Sequence, residues 1–180
     1  MPTTLIPLAE GFEELEAVTI IDVLRRGQVT VTVAGLTDKV VTGSHQISIV
    51  ADCLLNDVLD HTYDLIVLPG GPGTRNLRAD QRIQTLLQKQ AQADRLIAAI
   101  CAAPVVLSDA GLLKEKQATI YPRLGFELQI AQVKEEEVVV DGKIITGKSP
   151  QAAYGFALQL LAILQGSAME AEVRQKMAGN

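Results

Sequence analysis

Three short stretches hold the residues whose types and spacing can do chemistry. "IAAICAAP" (97–104) sets Cys101 between an apolar run and a patch of small residues. Small neighbours suit a tight strand-turn-helix elbow, where bulky side chains would collide. A thiol at the start of a helix meets free N–H groups that favour the thiolate and make it nucleophilic. Cysteine is also among the most buried residue types, so the same stretch describes equally well a small side chain filling a core. "LPGG" (68–71) offers backbone amides near Gly70 and Gly71 that could hold an oxyanion, or else an ordinary tight turn. "EGFEELEAVTIIDVLRRG" opens a helical pattern with a cluster of carboxylates. At about 100° per residue, Glu13 and Glu16 share a face with Ala17, Ile20 and Leu24, the face that should meet a sheet, while Glu14 points toward Val18 and Asp22. A carboxylate at the rim of a buried face needs a reason, because unpaired burial is costly. It is either solvated by first-turn N–H groups or shares a proton with a thiolate.

Other candidates carry less. "GKIITGKS" (142–149) matches the phosphate-binding pattern G-x-x-x-x-G-K-[ST] letter for letter. Ile144, Ile145 and Thr146 prefer extended structure, so the phosphate-wrapping loop is missing and nucleotide binding is rejected. Cys53 follows the segment "HQISIVA" without small neighbours and reads as structural. The chain has only two histidines, His45 and His61. Tyr121 can donate a hydrogen bond to a substrate oxygen, but a neutral phenol is a poor base at pH 7.

The elements that must position these groups alternate between strand and helix. "TTLIPL" (Thr3–Leu8) precedes a helix over 13–26 with Gly27 as its C-cap. Strands follow at 29–35 and 45–51, then the continuous apolar run "YDLIVLPGG" over 63–71. A helix over 80–92, a strand at 95–100, a helix to about 110 and a strand at 117–122 come next. "VVVDGKIIT" (138–146) reads as a hairpin with Asp141-Gly142 in a type I′ turn. Ser149 and Pro150 then supply an N-cap and a first helical position for a helix through about 164. Such alternation implies a mostly parallel sheet with helices on both faces, and sites collect at the carboxyl ends of its strands. The three chemical stretches all end there.

Composition limits the partners. The chain of 180 residues suits one domain with a substantial core, and its formal net charge of −5 disfavours nucleic acid and anionic membranes. The N-terminus turns acidic within ten residues, unlike a secretory signal, and no apolar run approaches the roughly 20 residues a spanning helix needs. Two cysteines are too few for a disulfide framework, which points to a cytoplasmic protein.

The order "EGFEELE", "VLPGG", "AAICAAPVVL", with "VTVAG" and "GKSP" at fitting places, resembles the ThiJ/PfpI superfamily, particularly the branch of the Parkinson-disease-associated protein deglycase. The resemblance spans nearly the whole chain. It implies a single domain over 1–180, a flavodoxin-like three-layer sandwich with a cysteine nucleophile elbow, no metal or organic cofactor, and a homodimer packed through the first helix, where Leu15 and Val18 lie beside Asp22. Carried across, Cys101 is the nucleophile, Glu16 a protonated glutamate bonded to it, and Gly70 and Gly71 the oxyanion glycines. Glu13, Ala102, Tyr121 and His45 fall in or near the pocket, His45 at a place where relatives carry a basic residue near the dimer interface. Ala102 stands where the protease-like branch has a histidine, and Tyr121 where the deglycase branch has one. The resemblance therefore implies a stress-response enzyme acting on small reactive carbonyls or glycated proteins, or a redox sensor with chaperone-like binding of unfolded clients.

Overall fold

The computed structural model describes residues 1–128 and 131–179. The chain begins with β1 (Thr3–Leu8), α1 (Glu14–Arg26), β2 (Thr30–Gly35), β3 (Val40–Thr42), β4 (Ser48–Val50) and β5 (Cys53–Leu54). It continues through β6 (Leu65–Leu68), α2 (Thr74–Ala79), α3 (Gln81–Gln92), β7 (Leu96–Ile100) and α4 (Pro104–Asp109). After the short β8 (Gln117–Ala118) and β9 (Gln132–Val133) come β10 (Val138–Asp141), β11 (Ile144–Gly147), α5 (Ala153–Gln165) and α6 (Ser167–Met177).

Seven strands form one sheet in the order β10-β11-β7-β6-β1-β2-β5, parallel throughout except for the β10–β11 hairpin. Numbered by chain order, the longer parallel strands β1, β2, β6, β7 and β11 lie as 2-1-3-4-5, the flavodoxin-like doubly wound arrangement. The order reverses between β1 and β6, and there the loops after the strands splay apart and leave room for a site.

Alternation along the strands divides the core into two layers. Ile6 and Leu8 of β1, Val67 of β6 and Ala98 and Ile100 of β7 pack with α1 and α5 around Ala17, Ile20, Phe156 and Leu160. Leu5, Ile66, Leu68 and Ile97 face the other way, against Leu77 of α2, Ile83 and Leu87 of α3, and Val105 and Val106 of α4. Both faces are covered, so the central strands carry continuous apolar runs: all four residues of β6 are buried.

Several sequence-based boundaries change. Only Ser48–Val50 of the expected strand 45–51 is extended, and it pairs antiparallel with β3 outside the main sheet; His45 and Gln46 form the turn. Of the strand expected at 117–122, only β8 pairs, with β9, and Pro122–Glu127 is a 3₁₀ turn. The β10–β11 register opposes Asp141 to Ile144, so the turn is Gly142-Lys143, with positive φ at Gly142 alone. That is the pattern of a type II′ turn rather than I′. Ser149 makes no side-chain capping bond and precedes a 3₁₀ turn, Pro150–Ala152, before α5 begins. The sequence pattern gives no sign of α6, because this helix buries only Val173 and has no apolar stripe of its own.

Gly147, opposite Ile100 at the carboxyl end of β11, accepts a hydrogen bond from the Cys101 N–H at 2.9 Å. A Cβ there would sit 2.8 Å from Ile100 Cγ1 and 2.9 Å from Phe156 Cδ2, inside the packed layer. Gly147→Val is expected to cost about 2–3 kcal/mol of unfolding free energy, read by urea denaturation. An unchanged midpoint would show that this layer is looser than its packing implies.

Candidate active site around Cys101

Cys101 directly follows β7 with φ +60°, a left-handed conformation uncommon for any residue but glycine. The elbow is held from both sides. Its N–H donates to Gly147 and its carbonyl accepts from the Tyr121 N–H at 3.0 Å. Cys101 is 8% exposed, and the amides of Ala102 and Gly71 hydrogen-bond the sulfur. Here the basis for a reactive thiol changes. α4 begins three residues later and runs only six residues, so no helix terminus acts directly on Cys101. Burial and the neighbouring Glu16 carboxyl push the thiol up from its ordinary value, and the two amides pull the other way.

Glu16 lies deeper than the pocket rim where the sequence placed it: it is fully buried. Its Oε2 accepts the Gly70 N–H at 2.7 Å, while Oε1, also buried, has no partner of standard geometry. Burial pushes this carboxyl up to about 7, with a further push from Glu13, against the hydrogen bonds from Gly70 and Cys101. The thiol therefore keeps its own proton near neutral pH, while the carboxyl beside it gains and loses one. The glycine loop is shaped around this contact. A Cβ on Gly70 would lie 2.8 Å from Cys101 Cβ and 2.9 Å from Glu16 Oε2, and Gly71 has φ +89°. The Gly70 amide, expected with that of Gly71 to hold an oxyanion, is given to Glu16, and the amides beside the sulfur are those of Gly71 and Ala102.

The other carboxylates are also re-sorted. Glu13 is the N-cap of α1 with extended backbone, and its Oε2 accepts the Glu16 N–H at 2.7 Å. Glu14, which helical phase sent toward Val18 and Asp22, is instead buried beneath the turn between β3 and β4. It accepts the His45 N–H, the His45 ring Nδ1 at 2.9 Å, the Ile47 N–H at 3.4 Å and the Ser44 hydroxyl at 3.3 Å. Burial alone raises its carboxyl, but those bonds outweigh it and hold Glu14 down at about 2. The Glu14 hydrogen bond and charge push His45 up in return. Sequence reasoning missed Glu14, because the turn that covers it is distant in sequence and no helical period signals it. Glu13, Glu14 and His45 bring one ligand-type atom each within 4.8 Å, yet the Glu14 oxygens are already occupied by the turn, which describes an ion pair.

The structure thus gathers Cys101, Glu16, Gly70, Gly71 and Ala102 at one point, with Tyr121 adjoining through its backbone and with Glu13 capping the same helix. Tyr121 is 37% exposed. His45 bonds to Glu14 rather than to the cysteine. Leu15 and Val18 are 54% and 48% exposed on the outer side of α1. Both cysteines are free thiols, and no helix among the described residues is long and apolar enough to cross a membrane.

A doubly wound parallel sheet with a left-handed cysteine at the end of a central strand defines a flavodoxin-like protein with a cysteine elbow. Known proteins of similar sequence and structure agree with that class. The DJ-1/PfpI family model matches residues 3–163. DJ-1 homolog B of Arabidopsis thaliana is 41% identical over 163 residues, 89% of this chain but only 37% of that protein, so the chain spans well under half of this relative. A Caenorhabditis elegans protein called glutathione-independent glyoxalase DJR-1.2 is 36% identical over 87% of this chain and 85% of its own length. The crystal structure of Drosophila melanogaster DJ-1beta superposes with a TM-score of 0.96 at 37% identity, covering 98% of this chain and 97% of that one. An oxidized Toxoplasma gondii DJ-1 matches with a TM-score of 0.96 at 35% identity, covering 99% and 98%. The chain belongs to the DJ-1/PfpI family.

The raised Glu16 carboxyl links stability to pH. The folded state holds this proton above the ordinary carboxylate value of 4.5, so its stabilisation is complete below 4.5 and is lost as pH rises through about 7. Relative to Glu16→Gln, the protein should lose about 3 kcal/mol of stability between pH 4.5 and 8, as measured by denaturation at each pH. A constant difference between the two proteins would place the Glu16 proton elsewhere.

Proposed function

We propose that this protein is a cofactor-independent enzyme of the stress response that converts small α-oxoaldehydes to 2-hydroxy acids through Cys101. The observation that carries the reading is the buried pair, a thiol and a carboxyl of nearly neutral pKa with two amides aimed at the sulfur. The glyoxalase name of the Caenorhabditis elegans relative supports the same substrate class.

The chemistry balances without a co-reactant. As Sγ adds to the aldehyde carbon, its proton passes to the Glu16 carboxylate and the new oxyanion lies among the Gly71 and Ala102 amides. Glu16 returns the proton to that oxygen, giving a hemithioacetal. Its carboxylate then removes the hydrogen from the former aldehyde carbon, and the same proton is delivered to the neighbouring carbon through an enediol. The product is a thioester of a 2-hydroxy acid, which water hydrolyses to the free acid and the thiol. One carbon is oxidised and its neighbour reduced, so the net change is addition of water. A carboxyl near 7 can give and take protons at physiological pH, so a single residue serves where histidine is lacking. Addition to carbonyl adducts on protein amines or thiols would make the same site a deglycase. A reducing compartment such as the cytoplasm would keep both thiols free.

Lactate formed from methylglyoxal by the wild type, Cys101→Ala and Glu16→Gln tests this. Cys101→Ala should lose at least about 100-fold in kcat/KM, and Glu16→Gln should lose kcat more than KM. Equal rates in wild type and Cys101→Ala would overturn the enzymatic reading. Suppressed client aggregation without turnover would instead favour a sensor with chaperone-like binding.

The proposed assembly is a twofold homodimer. Leu15 and Val18 are exposed on α1, and Val18 shares a groove with Ile49 and Val50 of β4, the latter 73% exposed, which extends the apolar surface of this side. Light scattering at micromolar concentration should give twice the 19.3 kDa chain mass, and Val18→Glu should shift it toward the monomer. A monomeric wild type would remove the dimer.

A further inference from the structure

Three loops build the site, and a single arginine side chain ties together the segments that lie just beyond them. Arg78 is on α2, the helix after the Gly70-Gly71 loop. Its guanidinium bonds Asp109 through both Nε and Nη2, the latter at 3.1 Å, and Glu127 through Nη1 at 2.7 Å. Asp109 ends α4, the helix that leaves the Cys101 elbow. Glu127 ends the 3₁₀ turn Pro122–Glu127, which starts one residue after the amide that bonds the Cys101 carbonyl.

That turn is weakly held by packing. None of its six residues is buried, and Phe126 is 70% exposed. Its anchors are Ile120 and Leu128 at the ends, a partly buried Leu124, the Tyr121 amide, and the ion pair to Arg78. Segments that bury little apolar surface open at low free energy, so a single polar tie has leverage there. Arg78 holds Asp109 with a two-pronged contact that a lysine cannot reproduce.

We propose that Arg78 is a positioning residue whose guanidinium, by joining Asp109 to Glu127, fixes the 121–127 segment beside the Cys101 elbow and so controls access to the thiol. The proposal extends the proposed function by one residue, but thiol access can be read without any turnover.

The test is the rate of Cys101 alkylation by iodoacetamide in a Cys53→Ser background, for Arg78→Met, Arg78→Lys and Glu127→Gln, with Cys101→Ala as the blank. Arg78→Met keeps the stem and removes the charge, and is expected to speed alkylation about fivefold, the scale of a partly exposed ion-pair network. Glu127→Gln cuts one arm only and should give a smaller acceleration in the same direction. Arg78→Lys should recover part of the protection. Urea denaturation of each variant separates local from global opening. An alkylation rate unchanged in both Arg78→Met and Glu127→Gln would overturn the proposal, as would an acceleration matching the loss of global stability. If methylglyoxal is not turned over, the proposed function fails while these rates still decide the role of Arg78.

Discussion

A fully buried glutamate, bonded to one backbone amide and leaning on one thiol, constrains the rest of this structure. Glu16 Oε2 lies 2.7 Å from the Gly70 N–H, and its other oxygen is left without a regular partner. An ionised carboxylate in that place is costly, so it retains a proton to near neutral pH. Satisfying it even in part brings α1 against the loop after β6 so closely that no Cβ fits on Gly70. It also sets the phase of α1, whose first turn is held by the Glu13 cap. The doubly wound order then serves this contact, because only at the reversal between β1 and β6 do those two loops face each other.

Within three residues the same helix carries two carboxyls in opposite states. Glu14 is held down at about 2 by donors from a turn that folds over it, while Glu16 is pushed up to about 7 where donors are scarce. Burial weighs chiefly on Glu16, and Glu14 receives the larger number of N–H and O–H groups. Glu14 acts as a structural anion that fastens the β3–β4 hairpin, and Glu16 as an exchangeable proton store beside sulfur. Acid and base roles are thus divided between neighbours by burial and by the hydrogen bonds each receives.

The thiol itself is not a standing thiolate. Burial and the adjoining carboxyl oppose its ionisation, and the two amides that favour it belong to separate loops rather than to a helix. On the proposed function this matters, since the proton leaves as the sulfur attacks, and the carboxyl that takes it is already in contact. Such a site depends on loop geometry more than on intrinsic thiol acidity. The +60° backbone at Cys101, tied to Gly147 on one side and Tyr121 on the other, supplies that geometry.

Much of this was legible in the residues alone. Continuous apolar runs and β-branched stretches marked β1, β2, β6, β7 and β11, and the spacing between them marked the crossovers, because parallel strands buried on both faces leave no other pattern. The same periods brought three loops to the strand ends and put Glu13 and Glu16 on the core face of α1, whereas the choice of Cys101, Glu16 and the glycine pair as site residues came from the family resemblance. What the sequence could not decide rests on contacts between distant segments. Helical phase put Glu14 in the open, but the turn that buries it lies about thirty residues away. The strand expected at 45–51 became a turn and a short edge hairpin, since local β-propensity does not say which sheet a strand joins. Above all, which amide serves which acceptor was settled only by packing. Gly70 spends its N–H on Glu16, and Ala102 and Gly71 are left for the sulfur, because a hydrogen bond is directional and its partner is chosen in three dimensions.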